Sequence, residues 1–170
     1  MAETTRIHLT IPTIPLLDAQ ASQMILRREV GTAMYGIVED IATQAKERTP
    51  VGVSGILRAS IGTRVSLGTD ASTLVLGEVY TGAQAPYAIF VEEDTRPHWP
   101  PWGSGSSLAL WAQRVLGNAK LAFVVARKIS RVGTKGRHFM RDALAQVRPT
   151  IEPRLRAAVE RAALLLTGGR

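Results

Sequence analysis

The chain has no cysteine in its 170 residues, which excludes a disulfide framework, a thiolate zinc site and a thiol nucleophile. Aromatic residues are scarce, three each of Phe, Tyr and Trp, so a core has to lean on Ala, Val, Ile and Leu. Long apolar runs are missing too. The longest, Leu121 to Ala126, falls far short of the roughly 20 residues that span a bilayer. The opening Met1-Ala2-Glu3-Thr4-Thr5 has neither the basic flank nor the apolar stretch of a signal peptide, and the expectation is a soluble protein made in a cytoplasm. What is present is globular in character. With 45% hydrophobic and 21% charged residues, wholesale disorder is excluded, and the length suits one domain with its own core.

Acidic residues are short in one part of the chain. Residues 1–100 hold eight Lys/Arg and eleven Asp/Glu, whereas residues 101–170 hold thirteen and three, so a net of −3 is followed by a net of +10. Such a split points to a polyanion or an acidic partner near the C-terminal part, with a solvated basic face as the plain alternative.

Residues Arg6 to Ile11 alternate between apolar and polar and predict a short strand, stopped by Pro12 and Pro15. From about Asp18 the period changes. Val30, Met34, Ile37, Val38, Ile41 and Ala45 recur at helical spacing, with Arg28, Glu29, Glu39, Asp40 and Lys46 off that stripe. Gly31 and Gly36 weaken this helix and Thr49-Pro50 ends it. Leu57 to Leu67 and Thr73 to Tyr80 predict an antiparallel hairpin. Tyr87 to Glu92 fits a strand or one helical turn, and the Pro/Trp/Gly-rich stretch Thr95 to Ser107 reads as a long loop. Four helical segments follow. They are Leu108 to Leu116 with Trp111 and Val115 on the apolar face; Leu121 to Val132 with Val125 and Ile129; Phe139 to Val147, closed by Pro149; and Ile151 to Leu166. Helix, strands, then helices is an α+β order: a small antiparallel sheet with a long N-terminal helix and C-terminal helices.

Chemistry-bearing constellations are thin. His8, His98 and His138 are far apart in sequence, and none stands at an i,i+4 ligand spacing. Glu92-Glu93-Asp94, with His98 near, is the only acidic cluster. A divalent-metal or nuclease site there is conceivable, but three consecutive residues cannot all point one way, and a solvated charged corner is the better reading. Gly133-Thr134-Lys135-Gly136 lacks the spacing of a phosphate loop, and Gly103-Ser104-Gly105-Ser106-Ser107 lacks that of a nucleophile elbow. No catalytic residue, cofactor or metal site is expected. The basic block Arg127, Lys128, Arg131, Lys135, Arg137 and Arg141 suits sequence-independent contact with phosphates, because no aromatics interleave with it; pairing with an acidic neighbouring subunit suits it as well.

Three segments together resemble the head–tail connector neck and tail-completion proteins of siphophage-type tailed phages. Pro50-Val51-Gly52-Val53-Ser54-Gly55-Ile56-Leu57-Arg58-Ala59-Ser60-Ile61 is similar to that family's segment after the long helix, with one extra residue before Ser54. Ala85-Pro86-Tyr87-Ala88-Ile89-Phe90-Val91-Glu92, followed by Thr95, is similar to a second, with Asp94 where Gly is common. Gly133-Thr134-Lys135-Gly136-Arg137, then Phe139-Met140 and Ala143, is similar to a third. The resemblance covers residues 22–147 in order and spacing; Trp99 to Ser107 and the part beyond Pro149 lie outside it.

The resemblance implies a structural virion protein: a ring, hexameric by preference and dodecameric as the open alternative, that joins or completes the tail at the DNA-filled head. Its partners would be other copies of itself and neighbouring connector, head-closure and tail proteins. A tail-terminator ring is the nearest alternative, and a DNA-binding protein is the alternative from another class. On this reading residues 1–17 form an arm with a strand, 18–148 the α+β domain and 149–170 a C-terminal helix. Trp99 and Trp102 are candidate interface anchors. Arg127, Lys128, Arg131, Lys135 and Arg137 are candidates for intersubunit contacts or for passing contact with DNA.

Overall fold

The computed structural model describes residues 6–12, 20–51, 54–68 and 73–167. Its elements are β1 (Arg6–Pro12), α1 (Gln20–Arg48), α2 (Ile56–Ser60), β2 (Ile61–Leu67), β3 (Thr73–Thr81), α3 (Ala88–Glu92), α4 (Ser107–Leu116), α5 (Leu121–Val132) and α6 (Phe139–Leu166). The architecture is α+β, as the sequence pattern predicts.

The helical stripe of α1 is fully buried from Val30 through Ala45. One side of it lies on the sheet and the other on α6. Burial of that continuous stripe holds a helix that carries two glycines, since packing of an apolar face outweighs intrinsic propensity. The sheet is antiparallel with order β1-β3-β2, so β3 is central. The hairpin runs from Ile61 opposite Thr81 to Leu67 opposite Val75. Strand β1 joins the other side of β3, with Arg6 opposite Tyr80 and Leu9 opposite Gly77. The expected N-terminal arm is thus, over Arg6–Pro12, an edge strand of the domain's own sheet. Gly77 is where α1 comes closest, because a Cβ there would press on Met34 and Val38.

Two local expectations are corrected. Strand structure does not begin at Leu57: Gly55, in the left-handed region at φ 65°, starts one helical turn whose Leu57 and Ser60 are buried, and β2 begins at Ile61. Leu57, Ser60 and Ile61 fit helical spacing as well as alternation, which is the ambiguity of any short apolar run. The second correction is at Pro149. The two helices expected on either side of it are one 28-residue helix containing Pro149 and Pro153, which crosses the expected boundary at 148/149. Both prolines are exposed and sit four residues apart on one side, so the carbonyls that lose their donors meet water rather than core. The opposite side holds the helix in place. Ala143, Val147, Ala158 and Ala162 are buried in the main core, and Arg154 to Asp40 and Arg161 to Glu29 tie α6 to α1.

Helices α4 and α5 pack chiefly on each other, around a separate small core of Ala109, Ala112 and Ala122. The expected faces were built on the large residues. Of these, Leu108, Trp111, Val125 and Ile129 are half-buried, but Val115, Leu116, Leu121 and Val132 are exposed, and the fully buried positions are alanines. Small side chains let the two axes approach, and the rest of the fold does not cover the outer faces. Ser106 caps α4 by accepting from the Ala109 N–H at 3.1 Å, and Gly117 (φ 73°) ends it. Among the described residues no helix is long and apolar enough to cross a membrane.

Candidate functional site

Two sequence-distant segments close on each other at the start of α6. Tyr87 to Glu92 is the helical alternative, α3, and Glu92 at its end is 3% exposed. Its carboxylate accepts from the backbone N–H groups of Met140 and Arg141, each at 2.9 Å. These are unsatisfied donors of the first turn of α6, so Glu92 caps that helix from another element. His138, the N-cap residue itself, makes no side-chain cap and sits in the left-handed region at φ 50°. It is held there by its N–H to the Glu92 carbonyl at 3.1 Å, while the Arg137 N–H bonds the Val91 carbonyl at 2.7 Å.

The contact continues outward as a ladder. Asp94 accepts from the Gly136 N–H at 2.7 Å. The Thr95 N–H donates to the Thr134 carbonyl at 2.9 Å, and the Thr134 N–H donates to the Thr95 hydroxyl at 2.9 Å. Both glycines of the turn are required by this closeness. A Cβ at Gly133 (φ 71°) would overlap the Thr95 carbonyl, and one at Gly136 would overlap the Glu92 carbonyl. Glu92 and Asp94 are therefore engaged by backbone N–H groups, which corrects the reading of the trio as a solvated corner for Glu92, the buried member; Glu93 and Asp94 are exposed. Among the described residues no group of three His, Asp or Glu side chains could hold a metal ion. His8 lies 3.5 Å from Glu78, and His98 Nδ1 lies 2.9 Å from the Arg96 carbonyl.

The segment after α1 adjoins the same region. Pro50, Gly55 and Leu57 line a groove of about 350 Å³ together with Tyr87, Val91 and Trp111. Arg58 donates to the Thr49 carbonyl at 3.1 Å. Ala88 and Phe139 are buried in the main core. The described residues of the three resemblance segments, which exclude Gly52 and Val53, thus form one connected structural unit beside the α4–α5 hairpin.

The five candidate cations stand on the outer side of that unit. Arg127, Lys128 and Arg131 are exposed on α5, at spacings that place them on one side, opposite buried Ala122 and Ala126. Lys135 and Arg137 are exposed on the turn between α5 and α6. None of the five forms an ion pair with a described carboxylate, whereas Arg141, Arg154, Arg156 and Arg161 do. Trp99 and Trp102 fold onto α5 through one residue, Phe123. Trp99 stacks on it with centroids 6.3 Å apart, and Trp102 meets it edge-on at 5.0 Å. Both indoles stay about half exposed, 58% and 45%. They are held by their own chain and still offer a face outward.

Sequence reasoning missed the capping role of Glu92. A carboxylate 48 residues before the helix it caps leaves no local capping pattern. It also missed the alanine seam between α4 and α5. Compared with known proteins, the chain matches no family model, no curated protein and no solved structure.

Proposed function

We propose that this chain is a structural protein of a phage neck, one copy of a ring that joins or completes the tail at the head and acts by adhesion without a chemical step. The observation that carries this reading is the convergence of the three resemblance segments into one unit. Its motif residues occupy positions with definite tasks: Glu92 caps α6, Gly133 and Gly136 admit no side chain, and Leu57, Ala88 and Phe139 are buried. A hairpin that buries alanines and exposes Leu110, Val115, Phe123 and Val124 supports it as well, because exposed apolar surface of that kind is spent on contacts with other chains.

The test is electron microscopy of lysates from a phage lacking this gene. Filled heads beside separate tails of normal length are the expected result. Tails of uncontrolled length would make the protein a terminator ring instead, and intact infectious particles would overturn the reading. A second reading, sequence-independent DNA binding, is favoured by the five cations without ion-pair partners. It requires duplex affinity that falls steeply with salt.

A further inference from the structure

Among the described residues a wide groove opens where edge strand β1 meets α6, adjoining the three-segment unit at Arg141. It has a volume of about 710 Å³. Its apolar lining is Leu9 with Leu144, Ile151, Leu155 and Val159, the last four spaced along one stripe of α6 over about 22 Å. Beside that stripe runs a second row, four and three residues apart, that holds Arg141, Arg148 and Arg156 with Glu152 as its single carboxylate. The groove forms because α1 covers the sheet mainly over β2 and β3 and α6 packs mainly on α1, so that β1 and α6 face each other without close packing. Leu9 pairs with Gly77, whose missing side chain faces α1, so Leu9 is on the helix-bearing face of the sheet.

We propose that this groove is the docking site for an amphipathic helix of an acidic partner protein, laid along α6 with its apolar side chains in the groove and its carboxylates on the arginine row. Three features select that occupant. The apolar stripe has the length and spacing of a four-turn helix contact. In the row beside it Arg156 pairs with Glu152 and Arg141 lies 3.8 Å from Asp142, which leaves Arg148 as the guanidinium without an ion-pair partner among the described residues. A second copy of this chain docked through the same face would bring two net-positive rows together, which disfavours self-association there. This inference does not rest on the phage reading and survives its failure.

The probe is a fluorescent synthetic helix of about 16 residues, with leucines at i, i+3, i+4 and i+7 spacing and glutamates elsewhere, titrated with the full chain by anisotropy. A control peptide carries lysines in place of the glutamates. The acidic peptide is expected to bind, and the lysine peptide to bind at least about tenfold more weakly. Arg148→Glu, at an exposed position that leaves the fold intact, should weaken the acidic peptide by roughly tenfold or more. The pair Arg127→Glu and Arg131→Glu, on the other basic surface, should leave it within about twofold. Equal binding of the two peptides, absence of binding, or loss in the Arg127/Arg131 variant with retention in Arg148→Glu would each overturn the proposal. So would a concentration-dependent dimer in sedimentation that Arg148→Glu dissolves, since the groove would then belong to a second copy.

Discussion

At position 92 a carboxylate is taken almost entirely out of water and given two backbone N–H groups at 2.9 Å. Charge-assisted bonds to a helix start contribute more than neutral ones, and removing the acceptor leaves two buried donors empty. Glu92→Ala should therefore cost about 2–3 kcal/mol in urea unfolding, and Glu92→Gln, which keeps one acceptor oxygen, roughly half of that. A change below about 0.5 kcal/mol for Glu92→Ala would mean that α6 does not need this cap. Glycines separate in the same way. Gly36 in α1 has open space where a Cβ would go, so Gly36→Ala should stabilise by about 0.5–1 kcal/mol, the intrinsic helix difference. Gly136→Ala drives a methyl into the Glu92 carbonyl and should destabilise by at least about 2 kcal/mol. Equal effects of the two alanines in thermal melts would contradict the close approach of the turn to α3.

Secondary elements were legible wherever one strong period ran for several turns. In α1 the whole stripe from Val30 to Ala45 is buried as read, and the edge strand and the β2–β3 hairpin form as alternation predicts, with β2 starting at Ile61 rather than Leu57. Legibility failed where a local signal was overruled by distant packing. Pro149 is a helix stop by its chemistry, yet α6 continues because one face is held by the main core while the prolines point to water. Pro149→Ala restores a backbone donor and removes ring crowding. It should raise the melting temperature, by about 1–3 kcal/mol of added stability, and a fall would show that the ring itself packs. The α4–α5 hairpin was legible in part: Leu108 and Trp111 of the expected stripe pack on its small core, whereas Val115, Leu116, Leu121 and Val132 are left exposed because the described elements do not cover them. With only a small alanine core of its own, it should open locally more often than the α1–α6 pair. Its amides are expected to exchange with deuterium at least about tenfold faster than those near Val38 or Ala143.

The charge split along the chain takes a different form in the folded molecule. Part of it is satisfied internally, because Arg154 and Arg161 of the basic half reach Asp40 and Glu29 of the acidic half across the α1–α6 contact. Those exposed pairs contribute at most about 1 kcal/mol each, so their effect is mainly to remove cations from the outer field. On the hairpin side of the molecule what remains outward includes Arg127, Lys128, Arg131, Lys135 and Arg137, while Arg148 stays unpaired on α6. If all five touched phosphates, the logarithm of duplex affinity would fall with the logarithm of salt at a slope no steeper than about −4.5, or about 500-fold between 50 and 200 mM. On the proposed neck reading DNA would have to pass the ring, and five exposed charges without base-reading or stacking groups suit release better than retention. The expected result is therefore measurable binding of duplex DNA at low salt, loss of it near physiological salt, and abolition by Arg127→Glu with Arg131→Glu at unchanged stability, within about 0.5 kcal/mol. Tight binding that persists at physiological salt would favour the DNA-binding reading over the proposed connector reading. Binding indifferent to the Arg127/Arg131 change would place the phosphate contact elsewhere, with the α6 arginine row as the next surface to reverse.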